Sequence, residues 1–130
     1  MKIKTTFWLM TLLSATYALA DQDTDSLCEY TKVNDRSSLR SKLDDAGIDL
    51  RHSYDDIKCA GGDSLLRIAA ANGAVESATF IISKVGKRAI TEPGKDGMTA
   101  IQWAQKRADS ADAATKAKIK AVIDLMQSKQ

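Results

Sequence analysis

The chain has 130 residues, 44% of them hydrophobic and 28% charged, which gives room for one modest core. Its 19 basic and 17 acidic side chains leave a formal charge of +2. Lys2 and Lys4 belong to a leader segment, so the remainder carries 17 of each sign, and the basic surplus that nucleic-acid binding normally leaves is missing.

The leader comes first in the chain. Lys2 and Lys4 precede an apolar run from Phe7 to Leu13, and Ala18-Leu19-Ala20 supplies the small-x-small pattern of a cleavage site before the acidic stretch at Asp21. This pattern predicts a secretory signal peptide over residues 1–20, cut after Ala20. The apolar run is much shorter than the roughly 20 residues that cross a bilayer, so no membrane insertion is expected after cleavage. The predicted product is an exported, periplasmic protein consisting of one helical domain over residues 21–130.

A first helix is predicted from about Ser26, where Ser26 and Glu29 have the spacing of a capping box. A second runs from about Asp35 to Ala46, with Leu39 and Leu43 on one face and Gly47 as its stop. The segment from Ile48 to Gly62 is irregular and contains Cys59. Cys28 and Cys59 are the two cysteines of the chain. An oxidising compartment would join them into a disulfide, closing a loop of 32 residues counted inclusively and contributing about 3–4 kcal/mol. Neither lies in a C-x-x-C pair, and a single His cannot complete a zinc site with them, so no metal or other cofactor is expected.

The stretch "SLLRIAAANGAVESATFII", Ser64 to Ile82, reads as two helices folded over Gly73. A loop follows from Gly86 to Gly97, then a helix opened by a second capping box, Thr99 and Gln102. In the last helix Ile119, Val122, Ile123 and Met126 form an apolar stripe, with Lys116, Lys118 and Lys120 outside it. Strand signals are few, because the β-branched and aromatic residues Thr79 to Ile82 lie inside a helical pattern. Charge is unevenly spread. Residues 21–63 hold 11 acidic and 6 basic side chains, and residues 64–130 hold 6 and 11, so the two halves carry opposite signs.

An internal repeat organises the second half. "GDSLLRIAA" from Gly62 and "GMTAIQWAQ" from Gly97 share Gly-x-Ser/Thr-x-aliphatic-x-x-Ala, displaced by 35 residues. Each hydroxyl is placed to cap a helix, each aliphatic residue to face neighbouring helices, and each Ala to let two helices approach closely. With Gly62, Ser64, Leu66, Ala69, Ala70, Gly73, Glu76, Ile81 and Ile82 in one register, the chain resembles the ankyrin repeat over Gly62 to Met126. Leu39 to Leu50 matches the second helix and loop of a degenerate first copy. Leu65 and Ala100 stand where the repeat has proline, Arg67 and Gln102 where it has histidine, and the spacing exceeds the usual period by two. The resemblance implies an all-α stack of helix–turn–helix units behind a disulfide-stapled N-terminal segment. The run from Cys28 through "YDDIKC" to "GGDSLLRIAA" also resembles a group of small secreted bacterial proteins, which implies export and the disulfide but no activity.

Signals for catalysis are weak. His52, near Asp55 and Asp56, is the single histidine. No nucleophile elbow accompanies it, and it reads as a polar loop residue. "DQDTDS" from Asp21 opens like a calcium loop but has Ser26 and Lys32 where glycine and glutamate are required. "GKDG" lacks the earlier glycine of a phosphate loop. Tyr54 and Trp103 read as packing residues. The chain is therefore expected not to be an enzyme. Ankyrin-like stacks bind proteins through loop tips and the concave face of their first helices, which makes Lys87, Arg88 and Lys95 in the 86–97 loop candidate contact residues. By register Asp63, Asn72, Met98 and Lys106 join them. The expected role is a protein-binding module, most concretely an immunity or inhibitor protein against a secreted toxin or hydrolase. The alternative is a structural or stress-related envelope protein with no dedicated partner.

Overall fold

The structure is a computed structural model that describes residues 21–130, so the predicted signal peptide lies outside the described residues. Those residues are all-helical, with no strand among them. Helix α1 covers Asp21–Lys32, α2 Arg36–Ala46, α3 Leu50–Ser53, α4 Leu65–Ala71, α5 Val75–Val85, α6 Arg88–Thr91, α7 Ala100–Asp109 and α8 Ala113–Lys129.

Most boundaries follow from local chemistry. The Asp35 carboxylate accepts from the Ser38 N–H at 3.0 Å to open α2, and Gly47 closes it in the left-handed conformation. Asp112 caps α8 in the same manner, accepting from the Thr115 N–H at 2.8 Å. Helix α5 has no such residue, because Ala74 stands at its cap position. The Asn34 side chain, from the α1–α2 turn, supplies the missing acceptor to the Ser77 N–H at 3.0 Å. Asn34 itself has φ 63, a conformation that asparagine tolerates better than most residues.

Helix α1 departs from expectation. Ser26 lies inside the helix, not at its start, so it cannot form the capping box with Glu29. Its outer face is solvated, while Leu27 and Thr31 pack inward, and the Thr31 hydroxyl donates to the Leu27 carbonyl at 2.7 Å. The aspartates of "DQDTDS" fall on this helix too, which removes the loop a calcium ion would need.

Three pairs of consecutive helices packed on each other, α1–α2, α4–α5 and α7–α8, make up the body of the molecule as helical hairpins. Helix α4 packs on α1 and α7, and α5 packs on α2 and α8, so the middle hairpin shares both of its helices with its neighbours. Leu27, Leu39, Leu66, Ile81, Ile119 and Met126 are buried in the single core so formed. The last four stripe positions face inward as the spacing predicts, and Lys116, Lys118 and Lys120 are exposed. Cys28 of α1 is bonded to Cys59, with Cα atoms 5.8 Å apart, which ties the irregular 54–64 segment to the first helix. Ile57 in that segment is fully buried beside the bridge.

The two copies of the sequence repeat adopt the same local form. Gly62 and Gly97 both have φ 80, and the caps that follow, Ser64 and Thr99, are extended with φ −72 and −75. Each cap oxygen accepts from the N–H three residues on, at 3.3 and 3.2 Å. Leu66 and Ile101 are buried at matching positions, as are Ala69 and Ala104, both at 0% exposure.

Candidate functional site

The segments that precede α4 and α7 face each other across an open cleft of about 950 Å³. One wall is the 54–64 segment, held by three anchors: the disulfide, buried Ile57 and buried Tyr54. The Tyr54 hydroxyl accepts from the Leu66 N–H at 3.4 Å, and burial pushes its pKa up, so this phenol stays protonated. The other wall is the 86–97 segment. It is less free than its composition suggests, since α6 buries Ala89 and Ile90, and the exposed residues are Lys87 and 91–97. The expected projecting loop is thus half pinned to the core, because two apolar side chains in one short turn gain more by burial than by solvation.

Two arginines brace the cleft, and a third lies near Trp103. The Arg67 guanidinium, on α4, donates to both Asp96 oxygens at 2.7 and 2.9 Å and to the Met98 carbonyl at 2.9 Å. Its side chain is only 12% exposed and lies 5.4 Å from the Trp103 ring centroid. These hydrogen bonds, with a further one from the Met98 N–H, hold the Asp96 carboxyl well below the usual carboxylate range. Arg88 joins the walls directly, donating to Asp55 at 3.1 Å and to the Arg51 carbonyl at 2.6 Å. Arg107 lies 5.1 Å from the Trp103 ring, so this tryptophan is contacted by two guanidinium groups.

Of the residues expected to form a contact surface, Asp63, Arg88 and Lys95 line the cleft. Met98 sits beside it and contributes its backbone to the Arg67 and Asp96 bonds. Lys87 is exposed at the start of α6 without lining the cleft. Asn72 is away from it, closing α4 and donating from Nδ2 to the Ile68 carbonyl at 2.9 Å. Lys106 is exposed on α7, likewise outside the lining. The principal omissions are Arg67, Asp96 and Trp103. Arg67 was visible as a departure from the repeat pattern, whereas its pairing with Asp96, 29 positions away, has no local signature.

The arrangement offers hydrogen-bonding groups and both signs of charge on pre-positioned walls, over half-buried Trp103 and buried Tyr54. His52 takes no part: it is 80% exposed on α3 and bonded to Asp49 at 2.7 Å. Among the described residues no three His, Cys, Asp or Glu side chains converge to hold a metal ion, and no helix is long and apolar enough to cross a membrane.

Fold and site together define a small, all-α, disulfide-linked protein with an open polar cleft. A family model described as "Protein of unknown function (DUF3718)" matches residues 27–92, half of the chain, and the chain belongs to that family. The match takes in both cysteines, the first wall of the cleft and α6, and stops short of the second repeat copy. No curated protein and no solved structure matches the chain.

Proposed function

We propose that this chain is an exported, non-catalytic protein-binding module built as an ankyrin-like stack, and that the partner enters the cleft between its two loops. The observation that carries this reading is the placement of that cleft. Its walls are the segments preceding α4 and α7, the positions where a stack of helical hairpins presents its loops, and α4 supplies part of the floor through Arg67. The sharing of α4 and α5 with both neighbouring hairpins supports the stack, and α2 packed on α5 suits a degenerate first copy. The disulfide suits an oxidising compartment. The most concrete role is an immunity or inhibitor protein, because a braced cleft loses little conformational entropy on binding and favours tight, pre-organised capture.

Lys58 and Lys95 give the sharpest test. Both are exposed at the cleft and make no ion pair among the described residues. Reversing their charge in Lys58→Glu/Lys95→Glu should leave the fold intact and abolish co-purification of the partner from periplasmic extract. Lys106→Glu, on the same molecule but outside the cleft, should retain it. Equal recovery with all three proteins sinks the cleft reading, and a deletion strain with a general envelope defect but no toxin sensitivity favours the structural role.

A further inference from the structure

Away from the cleft, three cations gather on one buried ring. The guanidinium carbons of Arg36 and Arg40 lie 5.6 and 5.5 Å from the Phe80 ring centroid, and the Lys84 ammonium lies 5.6 Å from it. Phe80 is 1% exposed, and the charged ends of these side chains gather over it while Arg40 and Lys84 remain open to solvent. None of the three has a carboxylate partner among the described residues, whose ion pairs all lie elsewhere. This is unexpected for α2, which belongs to the acidic half of the sequence. A surface hollow of about 300 Å³ opens beside the ring, bordered by Arg40 and Lys84 over Leu43, Ile48 and Leu50. Two carboxylates also border it. Asp49 is already engaged by the Arg51 N–H at 3.0 Å and His52 Nδ1 at 2.7 Å, and Asp44 lies beyond ion-pair reach of either cation.

Cation–π attraction draws cations to the ring; three like charges there also repel one another, a repulsion that water screens in part and a bound anion would relieve further. Two of the three are arginines, whose planar forks match tetrahedral oxyanions bidentately. We propose that Arg36, Arg40 and Lys84 form a binding site for a phosphate group, separate from the cleft and sharing no lining residue with it. Phosphate supplies three or more acceptor oxygens and up to two charges, suited to Arg40 and Lys84 at the hollow, with Arg36 beside them on the same ring. The group can arrive as a free phosphorylated solute or as the headgroup of an anionic lipid. With the second source the apolar floor of the hollow would receive the first carbons of the lipid.

The test begins on the unaltered protein. Inorganic pyrophosphate titrated in low salt should shift the NMR signals of Arg36, Arg40, Lys84 and the Phe80 ring first, ahead of those of exposed Lys116, Lys118 and Lys120. Arg36→Gln/Arg40→Gln should weaken binding at least about tenfold, the loss expected for charge-assisted hydrogen bonds, whereas Lys116→Gln/Lys120→Gln should not. Co-sedimentation with phosphatidylglycerol vesicles that exceeds that with phosphatidylcholine vesicles, and falls with the same arginine variant, assigns the lipid source. Pyrophosphate binding without vesicle binding assigns the soluble one. Shifts spread evenly over all surface lysines, or an arginine variant that binds like the unaltered protein, overturn the proposal and leave the trio as a roof over Phe80.

Discussion

The two repeat copies share their glycine, cap and buried positions, yet they diverge at the third residue of the helix. In the second copy Gln102 turns back and accepts from the Thr99 N–H at 3.0 Å, completing a capping box within its own unit. In the first copy Arg67 occupies that place and reaches forward, to Asp96 and Met98 of the next unit. The same register position is thus spent locally in one copy and between copies in the other. The shared positions form each helix; the divergent one decides whether a copy is joined to its successor, and here the join is also the floor of the cleft.

A second divergence should have the largest energetic effect. The first copy turns at Gly73, whose φ of 64 suits glycine, and a Cβ there would stand 2.5 Å from Lys118 Cβ and 3.1 Å from its carbonyl. The position 35 residues on is Ala108, buried inside a longer α7. Gly73→Ala should therefore cost about 2–4 kcal/mol, from left-handed strain together with overpacking against α8. Ala108→Gly should cost about 1 kcal/mol, the usual penalty inside a helix. Denaturant midpoints measure both. If Gly73→Ala costs no more than Ala108→Gly, the close approach of α8 does not set the length of α4.

Much of this scaffold was legible in the sequence, because it rests on signals only a few residues apart. The Asp35 cap, the Gly47 stop, the 35-residue displacement and the stripe ending at Met126 are all of this kind. Ser26 misled for the same reason: its spacing to Glu29 fits a capping box, but nothing local tells a cap from a residue on the outer face of a helix. The pinning of the 86–97 loop was hidden because Ala89 and Ile90 are too short a run to show a period. At the site, Asp63, Arg88 and Lys95 came from register and composition. Arg67 with Asp96 did not, since separations of 29 and 43 residues, as in the Asn34 cap of α5, belong to the folded chain alone.

The link between copies can be broken directly. Arg67→Gln, which borrows the residue type of the second copy, removes three hydrogen bonds and the contact with Trp103, at about 2 kcal/mol. Gln102→Ala should cost about 0.5 kcal/mol, half of one capping box. The pH dependence separates the two. Asp96 has its folded pKa depressed by Arg67, so its contribution is fully present above the ordinary carboxylate value of about 4 and is lost as pH falls below it. The unaltered protein should lose stability on acidification faster than Arg67→Gln, while Gln102→Ala should follow the unaltered curve. Parallel acid curves for all three would show that the Arg67–Asp96 pair contributes nothing net to the fold.

The smallest difference is expected where the copies agree. Ser64→Ala and Thr99→Ala should each cost about 1 kcal/mol, since each removes one acceptor from an otherwise unpaired helix N–H. The reciprocal bond from Gln102 does not depend on the Thr99 hydroxyl, because it is made to the Thr99 backbone N–H. Losing the hydroxyl should therefore leave it standing, and the two substitutions should match within a few tenths of a kcal/mol. A much larger loss at Thr99 would show that the two halves of its capping box act as a unit. The second copy would then be stabilised by its own N-terminus to a degree the first copy, having given that position to Arg67, cannot be.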